Sequence, residues 1–273
     1  MKELTTKVVA LTGAGSGIGR ALALRLAAEG AALALADRDQ AGLSETVRLA
    51  AAAPAVTEHV IDVGDRASVA AYASDAARAH GAVDVLINNA GVNSYRTIRD
   101  SSHEDFEWVL NTNLWGPIHC VRAFLPLLEA RPVAHIVNIS SIASFLPLPM
   151  TGPYNMAKAG VTALSETLMV ELSDSNIGVT CVHPGGVKTN ISRRALHTTA
   201  QDHALFDRLA RTTPEQAAAA IVRAIKRNRR RVLIGADAKL LYALRWLMPR
   251  LCLAIVGRQA RKLSEQANVP LQQ

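Results

Sequence analysis

Tyr154 and Lys158 stand four residues apart, and Ser141 precedes Tyr154 by thirteen. On a helix, residues i and i+4 share a face, so a phenol and an ammonium at this spacing can reach one ligand. A free phenol with a pKa of about 10 is a weak base at neutral pH, and an ammonium beside it draws the group toward the working range. The Ser141 hydroxyl adds a donor for an oxygen on which charge develops. This set suits hydride transfer between a carbonyl and a secondary alcohol, where the alkoxide needs one proton and one polarising donor. Tyr-x-x-x-Lys alone is common and also describes an exposed helix pair, so its surroundings have to decide. Gly152-Pro153 marks a helix start and puts Tyr154 in the first turn.

A second group of residues suits a dinucleotide. Thr12-Gly13-Ala14-Gly15-Ser16-Gly17-Ile18-Gly19 follows an apolar run and opens an amphipathic one. Glycines there permit a tight turn, bring backbone N–H groups to a pyrophosphate at the positive end of a helix, and at Gly19 let helix and strand pack closely. Eighteen residues after Gly19, Asp37 ends the next apolar run. A carboxylate there accepts hydrogen bonds from the ribose hydroxyls of NAD and repels the 2′-phosphate of NADP. Arg38 could pair with that phosphate if Asp37 turned away, so NAD is the expected cofactor and NADP the alternative. Either charge also reads as a solvated strand end. Asp62-Val63 and Asn88-Asn89-Ala90-Gly91 close two further strand-like runs, and the small residues at 90 and 91 let a flat ring pass.

The elements that must position these residues alternate. Strand-like runs at 7–12, 32–37, 56–62, 83–88, 134–140, 177–182 and 231–235 are separated by helix-like stretches at 18–29, 41–53, 66–80, 103–129, 153–173 and 214–227. Near-continuously apolar strands alternating with helices predict one α/β domain, a doubly wound parallel sheet of seven strands covered on both faces. Segment 186–213 shows no clear period and is expected to form a loop over the substrate. With 49% apolar and 19% charged residues the chain can bury a core without staples. Cys120, Cys181 and Cys252 are isolated, form no metal cluster and read as reduced thiols, and the apolar run at 8–11 is too short for a signal-peptide core, so a cytoplasmic location is expected.

Residues 221–263 hold twelve Lys and Arg against the single acid Asp237, so the net charge of +7 belongs to the C-terminal end. No aromatics interleave with the cations of the dense run 223–231, which argues against nucleic acid. The apolar stretch 240–256 is interrupted by Arg245, Pro249 and Arg250 and cannot span a bilayer.

Thr12 to Gly19 resembles the TGxxxGIG motif, and Asn88 to Gly91 the NNAG motif, of the short-chain dehydrogenases/reductases; the resemblance covers about residues 5–235. It implies a Rossmann-type fold and an alcohol–ketone oxidoreductase in which Tyr154 exchanges the proton while Lys158 tunes it and holds the ribose. It also implies that Asn113, with Asn111 as the rival assignment, holds a water that relays protons through the lysine. Asn138-Ile139-Ser140-Ser141 resembles the catalytic-serine strand, with Ser141 favoured over Ser140 by its spacing to Tyr154. Pro184, Gly185, Val187 and Thr189 match the PGxVxT stretch, whose backbone and threonine contact the nicotinamide carboxamide. His183 reads as structural.

The catalytic candidates are therefore Asn113, Ser141, Tyr154 and Lys158. Those for the cofactor are Gly13, Ser16, Gly17, Ile18, Gly19, Asp37, Arg38, Asp62, Val63, Asn89, Ala90, Gly91, Tyr154, Lys158, Pro184, Gly185, Val187 and Thr189, with no metal. The domain is expected to span 1–235, followed at 236–273 by an apolar, basic helical extension acting as lid, subunit interface or membrane-surface segment. A homodimer or homotetramer built on helices 103–129 and 153–173 is implied by the resemblance. Segments 93–100 and 145–150 and the tail suggest a hydrophobic pocket for a bulky secondary alcohol or ketone: steroid-like, aryl or acyl-chain. The rival is a non-catalytic nucleotide-sensing protein on the same fold.

Overall fold

Val8–Thr12 (β1) is buried along its whole length, and its side chains serve two layers: Val9 and Leu11 enter one apolar cluster, Val8 and Ala10 the other. This is the behaviour of a central strand in a sheet covered on both faces. The computed structural model describes residues 1–266, and residues 267–273 of the expected extension lie outside the described residues. Its strands are β1, β2 (Ala32–Asp37), β3 (Val56–Val60), β4 (Val85–Asn88), β5 (Ala134–Ile139), β6 (Ile177–Pro184) and β7 (Arg231–Ile234). All pair in parallel, in the order β3-β2-β1-β4-β5-β6-β7. The predicted seven-stranded doubly wound sheet is thus observed.

The helices are α1 (Gly17–Ala28), α2 (Gln40–Leu49), α3 (Arg66–His80), α4 (His103–Leu110), α5 (Gly116–Glu129), α6 (Gly152–Glu171), α7 (Ala200–Leu209), α8 (Pro214–Lys226), α9 (Ala236–Leu247) and α10 (Pro249–Gln266). Leu22 and Leu26 of α1 and Ile221 and Ile225 of α8 cover one face; Tyr72 of α3, Phe124 of α5 and Leu168 of α6 cover the other. Two expectations need correction. The stretch 103–129 is not one helix: a π-helical turn at Asn111–Trp115 separates α4 from α5, and it buries Asn113. The supposedly irregular segment 186–213 contains α7, started by a capping box of Thr199 and Asp202 that periodicity alone does not register.

One polar network inside this apolar frame joins the elements that carry the site. Asn88 at the end of β4 donates to Asn138 of β5 (2.8 Å), whose amide donates to Ser165 of α6 (3.0 Å), which in turn donates to Val161 O (2.7 Å). All three side chains are buried, so each bond is hard to replace with water. Asn138→Ala leaves the Asn88 amide and the Ser165 hydroxyl short of a partner and is expected to lower the unfolding free energy by about 2–3 kcal/mol, read by urea denaturation. A change within error would show that the network is dispensable.

Candidate active site

Between β1 and β4 the strand order reverses, and the chains leaving these two strands diverge to open a crevice. The glycine loop fills one side. Gly13 has φ +67°, and a Cβ there would lie 2.7 Å from Ala90 Cα; Gly17 has φ +53° and faces the Thr189 methyl. Only glycine fits both demands. Asn89 fastens this loop: its amide donates to Thr12 O and Gly13 O (both 3.0 Å), while the Thr12 hydroxyl accepts from Asn89 N and Ala90 N. Arg20 holds it from the other side, donating to Gly15 O (2.7 Å) and Gly42 O (3.0 Å).

The N-terminus of α1 differs from its neighbours. α2, α3, α4, α7 and α8 each begin with a side chain that accepts from their own N–H groups, whereas Ser16 makes no such bond and the first turn of α1 has no acid. Its N–H groups face a cavity of about 580 Å³. The cavity wall includes Gly13, Ser16, Gly17, Ile18, Asp37, Arg38, Asp62, Val63, Asn89, Ala90, Gly91, Pro184, Gly185, Val187 and Thr189, as well as Ser141, Tyr154 and Lys158. Gly19 lies behind the loop, where a Cβ would collide with Gly13 O. Asp37 accepts from Gly15 N (2.8 Å) and Asp39 N (2.9 Å). The Arg38 guanidinium lies 5.7 Å from the centre of the Trp108 ring.

At the other end of the cavity, the Lys158 ammonium donates to Ile139 O (2.9 Å) and sits 5.6 Å from the centre of the Tyr154 ring. Burial pushes the ammonium down to about 8. Burial also pushes the phenol up to about 12, against the pull of its hydrogen bond with Ser141 and helped by Tyr95. This corrects the expectation of a phenol drawn down by its lysine: desolvation outweighs the cation, which lies over the ring face rather than at the oxygen. Ser140 is committed to Lys158 O and Thr162, while Ser141 accepts from Ala143 N and is directed at the phenol. Asn113 is not on the cavity wall. Its amide accepts from Val92 N and donates to Val92 O (both 2.8 Å), clamping the chain after Asn88-Asn89-Ala90-Gly91.

His183 fits the structural reading. Burial lowers it to about 4, and its ring meets Ser144 and Phe145.

The rest of the wall is apolar and comes from three segments. Leu146, Leu148 and Pro149 precede α6; Ile191, Phe206 and Leu209 follow β6; Leu241, Leu244, Cys252, Ile255 and Val256 belong to α9 and α10. The inner face of α9 and α10 thus forms part of the cavity wall. Sequence reasoning missed Tyr95 and Phe206 as individual residues, and also Asp237 and Arg194. Asp237 accepts from Gly186 N (2.7 Å) and so anchors α9 to the turn after β6; its being the single acid in a basic stretch was the available signal. Arg194 reaches across the crevice to Asp39 (2.7 Å), and Leu196 pairs with the chain at 93–95, so 186–199 straps the cavity.

An all-parallel sheet in this order, with its switch point lined by a glycine loop, is a Rossmann-like dinucleotide-binding domain. Comparisons with known proteins narrow the class. The short chain dehydrogenase family profile matches residues 7–200. SadH of Mycobacterium tuberculosis, which carries an oxidoreductase name, is 42% identical over 248 residues, 88% of this chain and 90% of that protein. A short-chain dehydrogenase/reductase from Burkholderia phymatum, solved with NAD, superposes with a TM-score of 0.81 at 34% identity, covering 90% of this chain and 96% of the other. One from Mycobacterium paratuberculosis, also bound to NAD, gives 0.76 at 28% identity over 85% and 97%. The chain belongs to the short-chain dehydrogenase/reductase family and is an oxidoreductase of that family.

The strap makes a checkable statement. Arg194 and Asp39 are both part-exposed, so their ion pair contributes little to global stability. Arg194→Ala is expected to change the unfolding free energy by less than about 1 kcal/mol while making segment 186–199 a faster target for limited proteolysis. Unchanged cleavage would show that the pair does not restrain the strap.

Proposed function

We propose that this chain is an NAD-dependent dehydrogenase/reductase that interconverts a bulky, apolar secondary alcohol and the corresponding ketone. The observation that carries this reading is the meeting of Ser141, Tyr154 and Lys158 in one cavity whose far end is the uncapped N-terminus of α1. The fit to a dinucleotide rests on that free helix end, on two glycines whose space no side chain could share, and on Asp37 at the end of β2. The dinucleotide supplies hydride exchange at its ring, the oxidised form of which carries positive charge. Pro184, Gly185, Val187 and Thr189 would line the ring's edge, and Asp37 the adenosine ribose. The engagement of Arg38 with Trp108 leaves Asp37 to set the preference for NAD over NADP.

Ser141 holds the substrate oxygen, and Tyr154 gives it a proton in reduction or takes one in oxidation. Lys158 stands behind the phenol as its electrostatic partner. Asn113 is a positioning residue that fixes Val92 and with it the cavity wall. The apolar walls from 146–149, 191–209 and 241–256 favour steroid-like, aryl or acyl-chain substrates. Trp115 before α5, and Met156 and Val170 on α6, are exposed, which supports a homodimer or homotetramer built on these helices.

Turnover is followed by NADH absorbance against a panel of apolar secondary alcohols and ketones. Tyr154→Phe is expected to lower kcat by about 10²–10⁴-fold. Dinucleotide binding without turnover of any substrate would assign the chain to nucleotide sensing instead. In ketone reduction, Tyr154 stays protonated through the working range, and the Lys158 ammonium is lost above about 8. kcat/KM is therefore expected to be level below that value and to fall with unit slope above it; a profile without that fall contradicts the role of Lys158. Asp37→Ala is expected to narrow the preference for NAD, and a wild-type preference for NADP would overturn the reading of Asp37.

A further inference from the structure

The helix pair α9 and α10 has two apolar faces, and only one is used. The inner face walls the cavity, as described. On the outer face Leu240, Trp246 and Leu247 are 69%, 67% and 79% exposed, and Met248, Leu251 and Leu253 are exposed beside them. Ala236, Leu240, Ala243 and Leu247 repeat at helical spacing, so along α9 this is a continuous stripe rather than scattered residues. A patch of that kind on a soluble chain marks a contact.

Charge indicates what covers it. Lys239 and Arg250 flank the stripe. Neither has a carboxylate partner among the described residues. The one acid of the region, Asp237, is turned inward onto Gly186 N. A second copy docking here in a two-fold interface would set this cationic surface against itself, at an electrostatic cost. Nucleic acid would meet the cations and leave the apolar stripe uncovered. A bilayer with anionic headgroups satisfies both: acyl chains take up the leucines, headgroups the cations, and Trp246 suits the boundary between them.

We propose that the outer face of α9 and α10 docks the protein on the surface of an anionic lipid bilayer. No helix among the described residues is long and apolar enough to cross a membrane, so these helices lie in the interface plane. Because their inner faces wall the cavity, docking sets that wall next to the lipid. This part rests on the cavity being the substrate site; the docking does not.

Full-length protein is sedimented with vesicles of phosphatidylcholine alone, or of equal parts phosphatidylcholine and phosphatidylserine. The expected result is pelleting with the mixed vesicles only, weakened by salt. Trp246→Glu combined with Leu247→Glu should lower the vesicle-bound partition by about tenfold or more. Neither residue lines the cavity, so turnover of a water-soluble ketone should stay unchanged and report an intact fold. A wild type that stays in solution with both vesicles overturns the proposal, as does a double variant that pellets equally well. So does light scattering in which the variant breaks up a wild-type oligomer, which would make this face a subunit interface. Pelleting by a protein that reduces no ketone leaves the docking supported and removes the catalytic reading alone.

Discussion

The reversal of strand order between β1 and β4 is the constraint on which the rest depends. In a parallel sheet every strand delivers its next residue at the same edge, and at most positions the following loops crowd one another. Where the order reverses they part, and the opening has to be kept at a fixed width by something other than the sheet ladder. Here Asn89 and Thr12 do so: one amide reaches two carbonyls of the glycine loop, and one hydroxyl accepts from two N–H groups of the β4 end. Gly13 is tight against Ala90 because of those bonds, and the free N-terminus of α1 is aimed into the crevice because Gly13 makes the turn there.

The chemistry at the opposite wall depends on burial more than on proximity. Tyr154 and Lys158 lie on one helix face as their spacing requires, yet burial disfavours the charged form of both and drives the two groups apart on the pH scale, the phenol up to about 12 and the ammonium down to about 8. At neutral pH the phenol therefore keeps its proton and the lysine keeps most of its charge.

Much of this was legible in the sequence because the residues involved are local and sit at element ends. Apolar runs gave the strands within two residues or so, and the glycine loop, Asp37 and the Asn88–Gly91 turn each fell at a strand end. What escaped was set by contacts between distant segments. Nothing in Asn111-Thr112-Asn113-Leu114-Trp115 breaks a helix by propensity; the π turn exists because Asn113 closes a ring of hydrogen bonds with Val92, twenty-one positions away. Arg194 meets Asp39 across 155 positions. The height of the Tyr154 pKa depends on the atoms packed round the ring, which spacing along a helix does not report.

The cavity also divides the chain by function. Its dinucleotide end is built wholly from strand ends and the turns that leave them, so its geometry is held by the sheet and by buried hydrogen bonds. Its apolar end is built from 142–149, 190–209 and the α9–α10 pair, none of which joins the sheet ladder. These walls are tied on by a few contacts each: Asp237 to Gly186 N, Arg245 to Phe145 O, Arg231 to Tyr242, Arg194 to Asp39, His197 to Asp105, and Leu196 to the chain at 93–95. The helix pair α9–α10 after β7 walls the apolar end of the cavity: removing it would leave that end open on one side and the glycine-loop end intact.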